Sequence, residues 1–228
     1  MNLQQINEKR LKNNQLKISL EKLYININGR RFRNDEINIK ICNIYEMIGY
    51  DLDWRCLEIK DPWRRAKKHM VLLNETFGEK SIDRIRFDHV FTYMHICEIY
   101  KWLNRSYQFL KVGGELIATF IDFNYLFKQS VSTEDMFFNQ HVETLQTIEK
   151  QIFTTSDSTG LYYHQTILTP RRLQEYMKKS FFDNITIEKS YHEVLDCDIY
   201  EIKAIKDTDK KLALAPDGTL IENQYISK

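Results

Sequence analysis

The chain of 228 residues is 43% hydrophobic and 29% charged, the balance of a soluble globular protein with enough apolar surface for one large core. Its formal net charge of +1 gives no field that would draw nucleic acid or an anionic membrane. Residues 1–20 lack an apolar signal-peptide core, and no later run reaches the ~20 apolar residues that span a bilayer. The expected setting is therefore cytoplasmic, with neither nucleic acid nor membrane as partner. Cys42, Cys56, Cys97 and Cys197 are far apart, with no Cys-x-x-Cys pair and no zinc-type Cys/His spacing. They read as reduced, mostly buried thiols, and no metal site is expected.

Residues 1–21 read as a helical or loose extension, 22–206 as a single α/β domain, and 207–228 as a polar appendage. A first strand is expected over 23–27. A second is expected over 36–41, with Ile37, Ile39 and Ile41 on one face and Glu36, Asn38 and Lys40 on the other. A third falls at 54–59. Asp61-Pro62 then opens a helix, as N-cap and first position, whose buried stripe is Trp63, Ala66, Met70, Leu73 and Phe77 and whose stop is Gly78. Arg64, Arg65, Lys67 and Lys68 lie off that stripe. They form either a solvated basic face or a dock for a phosphorylated or acidic partner.

Residues 87–93 predict a fourth strand. Trp102, Leu103, Phe109 and Leu110 recur at helical spacing, Gly113-Gly114 stop that helix, and 115–121 form a fifth strand. Two buried strands joined by a helix imply a parallel crossover, with ligands at the strands' carboxyl ends. The positions after Val90 and Ile121 are then the first places to look for chemistry. A helix over 134–152, with Phe138, Val142, Leu145 and Ile148 buried, a loop over 154–160, a helix opened by Thr169-Pro170, and strands over 184–188 and 198–206 complete the pattern.

These residues also resemble a family. The stretch 87–120 is similar to the second half of a class I S-adenosylmethionine-dependent methyltransferase: Phe87-Asp88 opens a strand, and His95 and Glu98 stand in a His-x-x-Glu-His stretch with Ile99 replacing the second His. Leu110-Lys111-Val112-Gly113-Gly114 matches Leu-Lys-Pro-Gly-Gly, with Val112 replacing Pro. Tyr162-Tyr163-His164, Thr169-Pro170-Arg171-Arg172-Leu173 and Phe181-Phe182-Asp183-Asn184-Ile185 resemble the end of methyltransferases found with bacterial polysaccharide clusters. The resemblance implies an α/β, Rossmann-like class I methyltransferase fold, a mainly parallel sheet flanked by helices. It implies methyl transfer from S-adenosylmethionine to an oxygen of a small or carbohydrate-like acceptor. It also nominates residues: His95, as a base on an acceptor hydroxyl, and Glu98 for catalysis; Asn26, Asn28, Gly29, Lys40, Thr92 and Tyr93 at the cofactor; Asp122, Tyr163 and His164 at the acceptor.

Two cofactor features depart from the family's pattern. Asn26 and Asn28 occupy glycine positions, where the backbone should approach the cofactor closely. Lys40 stands where a ribose-binding Asp is usual, and a cation with donors only cannot accept the ribose hydroxyl hydrogens. The departures predict weak or absent binding of S-adenosylmethionine. The alternative function is a pseudoenzyme subunit acting through a protein partner or self-association. A nicotinamide enzyme is disfavoured by the missing Gly-x-Gly-x-x-Gly.

Overall fold

Alternating isoleucines build the centre of the sheet. In β1 (Tyr24–Ile27) and β2 (Ile37–Lys40), Ile25, Ile27, Ile37 and Ile39 are fully buried, and β4 (Ile82–Asp88) adds Ile85 and Phe87. β3 (Leu52–Asp53) pairs parallel with β2, and β5 (Leu110–Ile121) parallel with β4. The last two strands, β6 (Asp183–His192) and β7 (Cys197–Ile205), pair antiparallel, and β7 inserts antiparallel beside β5. The resulting order is β3-β2-β1-β4-β5-β7-β6. This is the Rossmann-like class I methyltransferase fold that the resemblance implied. The computed structural model describes residues 2–19, 21–27, 33–41, 50–55, 61–121, 166, 168–192, 197–215 and 218–221. The expected helix at 134–152 and the loop at 154–160 lie outside them.

One face of the sheet is apolar. Helices α2 (Pro62–Phe77), α3 (Ile96–Phe109) and α4 (Pro170–Lys179) contribute Ala66, Met70, Leu73, Trp102, Leu103, Leu173 and Met177 as buried side chains. Trp102 meets Phe87 edge-on, with ring centroids 5.5 Å apart, a geometry worth about 0.5–1.5 kcal/mol beyond area burial. Of the expected stripe, Ala66, Met70 and Leu73 are buried and Phe77 is partly buried, while the side chain of Trp63 lies outside the described residues; the helix begins at Pro62, and Gly78 follows with φ +74. The basic face needs one correction: Arg64, Lys67 and Lys68 are exposed, but Arg65 turns in and forks Glu98 of α3.

The opposite face is polar, and its charges pair across strands. Arg84 pairs with Glu115 at 3.0 Å, and Lys203 shares that carboxylate. Arg86 pairs with Glu201 at 2.9 Å and lies 3.8 Å from Glu36. These partners explain where β4 falls. The sequence pointed to 87–93, but the strand is Ile82–Asp88 because Arg84 and Arg86 alternate with Ile85 and Phe87 and are neutralised by distant strands. Phe91–Tyr93 is instead a 3-10 turn. β3 likewise precedes the expected 54–59, of which 56–59 lie outside the described residues.

Segments before β1 and after β7 touch this body. α1 (Leu3–Lys12) starts with a capping box between Asn2 and Gln5 and buries Ile6 and Arg10. Beyond β7, Thr208, Ala215 and Gly218 offer carbonyls to Tyr107, Arg105 and Asn104 of α3.

Gly113-Gly114 do not end the helix. α3 stops at Phe109, Leu110 is already extended, and the glycines sit inside β5. There the pairing jumps from Ile82↔Leu110 to Arg84↔Glu115, so the strand bulges. Gly113 has φ +80 and donates its N–H to Lys206 O at 2.8 Å. A Cβ on Gly114 would lie 2.8 Å from Lys111 O and 3.2 Å from Asp83 O. Gly113→Ala should therefore cost about 1–2 kcal/mol from left-handed backbone. Gly114→Ala should cost about 1–3 kcal/mol from overpacking against carbonyls. Urea unfolding checks this, and unchanged midpoints in both variants would rule out the bulge's demand for glycine.

Candidate functional site

The strand order reverses between β1 and β4, and in open α/β sheets such a switch point opens a ligand crevice at the carboxyl ends. The described groups there are Lys40 at the end of β2, Asp53 at the end of β3, and Asp88-His89 at the end of β4. Asn28, Gly29, Asp122, Tyr163 and His164 lie outside the described residues.

Asn26 belongs to the sheet. It is buried inside β1, in register between Asn38 and Arg86, and its Nδ2 donates to Asn38 Oδ1 at 3.1 Å. Asn38 is a hub. Its Nδ2 donates to the carbonyls of Arg33 and Glu36, both at 2.9 Å, and its backbone N–H donates to Asp51 Oδ2 at 2.8 Å. The Asn26 amide is thus committed to holding β1 and β2 together on the polar face.

Lys40 does end β2, and only 8% of it is exposed. Its Nζ lies 4.7 Å from the centroid of the Tyr50 ring. Its register partner is Asp53, which Arg55 forks through Nε at 2.8 and 2.9 Å. The Arg55 hydrogen bond holds the Asp53 carboxyl below its usual range, with Lys40 adding to the effect. Trp54, next in the chain, donates its N–H to Lys40 O at 2.7 Å, and its carbonyl lies 3.0 Å from His69 Nε2.

Thr92 and Tyr93 lie in the 3-10 turn after β4. Thr92 is buried, its carbonyl accepts from the Thr166 N–H at 3.2 Å, and the Thr166 hydroxyl donates to Met94 O at 2.6 Å. His95 and Glu98 come next, as a helix cap. The His95 N–H donates to Glu98 Oε2 at 3.0 Å, and the Cys97 N–H donates to His95 Nδ1 at 3.3 Å. Glu98 is buried, and Arg65 forks both its oxygens at 2.9 Å. Glu98 thus locks α2 to α3, while His95 stays exposed.

The sequence reading missed His89. With β4 ending at Asp88, this is the histidine at the strand's carboxyl end. It has φ +57, is 5% exposed, and donates its N–H to Thr119 O at 2.9 Å. Its Nε2 lies 3.5 Å from Asp88 Oδ1, which also accepts from the Thr119 hydroxyl. A non-glycine residue held in left-handed backbone at a strand end is a mark of function or strain. The signal was present in the alternation Arg84-Ile85-Arg86-Phe87, which ends at Asp88.

S-adenosylmethionine would need an acceptor for its ribose hydroxyls at the end of β2. Of the described residues, the one at that position does not fit this role. Lys40 offers donors only, and its charge repels a sulfonium.

No protein-family model and no curated protein matches the sequence. Similar solved structures include a SAM-dependent methyltransferase from Archaeoglobus fulgidus, 13% identical, with a TM-score of 0.49 over 81% of this chain and 86% of that one. Another is the Burkholderia thailandensis 1,6-didemethyltoxoflavin-N1-methyltransferase with bound 1,6-didemethyltoxoflavin and S-adenosylhomocysteine, 10% identical, TM-score 0.45, covering 90% and 78%. A third is Haemonchus contortus phosphoethanolamine N-methyltransferase 2 in complex with S-adenosyl-L-methionine, 12% identical, TM-score 0.43, covering 89% of this chain and 52% of that one. This chain therefore spans about half the length of the Haemonchus protein. Overlaps this loose add nothing to the strand order, which assigns the fold by itself. Among the described residues no helix is long and apolar enough to cross a membrane.

Proposed function

We propose that this chain is a methyltransferase-like protein whose switch-point crevice has lost tight binding of S-adenosylmethionine, and that it acts as a non-catalytic subunit through protein association. The observation that carries this reading is Lys40 at the carboxyl end of β2, held over Tyr50 beside Asp53. Each ribose hydrogen bond lost with a carboxylate acceptor weakens binding by about 1.5–3 kcal/mol, or more than ~10-fold. Calorimetry with S-adenosylmethionine and S-adenosylhomocysteine should show affinities weaker than about 0.1 mM. Lys40→Asn should tighten both, because it restores an acceptor without setting a second carboxylate beside Asp53. Asn26→Gly is a poorer test, since it strips Asn38 of a hydrogen bond. Micromolar binding by the unmodified protein would overturn the reading.

A second reading is an active transferase that methylates an oxygen of a small or carbohydrate-like acceptor. Asp88-His89 favours it. An imidazole backed by a carboxylate at the switch point is suited to hold an acceptor hydroxyl, whereas Glu98 is committed to Arg65 and His95. Micromolar affinity for the methyl donor would bring this reading forward.

A further inference from the structure

We infer that a groove at the amino ends of β1 and β2 binds a free amino acid with an apolar side chain. The groove lies at the opposite end of the strands from the switch-point crevice, so the inference stands apart from the reading of that crevice. A cavity of about 380 Å³ opens there between residues 16–24 and residues 34–35, within the range of small-molecule pockets. One buried residue ties its two walls together. Arg10 donates to Leu16 O at 2.7 Å on one wall and to Asn34 O at 2.6 Å on the other. Asn7 pins the first wall again, accepting from the Ile18 N–H at 2.8 Å and donating to Ile18 O at 3.3 Å. Tyr24 lines the groove, half-buried, with the Arg84 guanidinium 4.5 Å from its ring centroid. Walls already held in place lose little freedom when a ligand enters.

The lining specifies the ligand. Leu16 is 67% exposed although its carbonyl is tied to buried Arg10. The fold thus holds a large apolar side chain out at the groove, with the Tyr24 ring as a second apolar surface. Lys17, Lys22, Glu21 and Asp35 line the same groove and are exposed. Among the described residues no ion pair joins these two cations to these two carboxylates, so both signs stay open to a third party. A ligand of one sign meets two like charges along with two opposite ones. A zwitterion meets both in the favourable sense, its ammonium on Glu21 and Asp35 and its carboxylate on Lys17 and Lys22, through charge-assisted hydrogen bonds. In an amino acid both groups leave the same carbon as the side chain, which is then free to pack on Leu16 and Tyr24.

The test is calorimetry on the full chain at neutral pH with leucine, phenylalanine, glycine, leucinamide and 4-methylpentanoate. Leucine or phenylalanine should bind at least ~10-fold tighter than leucinamide, which lacks the carboxylate, and than 4-methylpentanoate, which lacks the ammonium. Glycine, which has no side chain to bury, should also bind at least ~10-fold more weakly. Two double variants at exposed positions separate the charges. Glu21→Gln with Asp35→Asn should weaken leucine and leucinamide but not 4-methylpentanoate. Lys17→Gln with Lys22→Gln should weaken leucine and 4-methylpentanoate but not leucinamide. The comparison of ligands on the unmodified protein decides the matter if either double variant does not fold. No binding of leucine or phenylalanine at about 10 mM overturns the inference. So does either half-molecule or glycine binding as tightly as leucine, or leucine affinity unchanged in both double variants.

Discussion

Replacing Arg10 by Met should destabilise the protein by about 3–5 kcal/mol, the usual cost of stranding one member of a buried ion pair. Arg10 is 0% exposed, and its guanidinium is satisfied from several sides. It donates to Leu16 O at 2.7 Å, Asn34 O at 2.6 Å, Glu36 O at 2.9 Å and Asp51 Oδ2 at 3.0 Å. Burial pushes the guanidinium down from its ordinary pKa and the Asp51 carboxyl up. Both shifts say that leaving water costs more than the mutual attraction returns. The pair is therefore a fastener of α1 to the β2–β3 edge more than a source of net stability. Arg10→Met leaves Asp51 buried without its ion-pair partner. Arg10→Met with Asp51→Asn removes both charges while keeping an oxygen for the Asn38 N–H, so it should recover a large part of the loss. Recovery is incomplete, because three carbonyls still lose their donor. Urea unfolding of both single variants and the double closes the cycle. A single-variant cost under about 1 kcal/mol, or a double variant less stable than Arg10→Met, would contradict this account.

What could be read from the sequence is what depends on neighbours in the chain. The α2 stripe, its Asp61-Pro62 start and its Gly78 stop are local signals, and so is Thr169, which caps α4 by accepting the Arg172 N–H. The polar and apolar sides of β2 followed from simple alternation, which put Lys40 at the strand's end. What could not be read depends on partners far away in sequence. Arg84 and Arg86 look unlike strand residues until Glu115 and Glu201 are set opposite them. Arg65 looks solvated until Glu98, a helix away, is seen to accept its fork. The role of Gly113-Gly114 was misplaced because a bulge is a property of two strands in register. In the candidate site, the identities of Asn26 and Lys40 were legible, but not the Asn38 bond or the Tyr50 ring. The five-residue shift of β4's end hid His89 and promoted His95.

Acid should destabilise the protein through His69. His69 is 2% exposed on α2, with its ring centroid 5.8 Å from that of Trp102 and its Nε2 3.0 Å from Trp54 O. A carbonyl accepts, so the neutral ring donates from Nε2. Burial lowers the imidazole pKa from 6.5 to about 4, and Arg65 and Lys68 push it the same way while the Trp54 bond opposes. Between these values the unfolded chain holds a proton that the folded chain excludes. Stability from this group is complete above about pH 6.5, falls as the pH drops, and is spent near pH 4. The loss across that interval is about 3 kcal/mol. Glu36 and Asp51, whose carboxyls burial pushes up, contribute with the opposite sign, so the wild-type profile alone does not isolate His69. His69→Gln keeps a donor for Trp54 O and does not titrate. The stability difference between wild type and His69→Gln should therefore narrow or reverse, moving toward the variant, as the pH falls from 7 to 4. A difference that stays constant over that range would refute the assignment. Trp54 also holds the Lys40 carbonyl, and a protonated His69 still donates from Nε2 to Trp54 O, so this titration acts through burial of the charge and not through the strand end that carries Lys40.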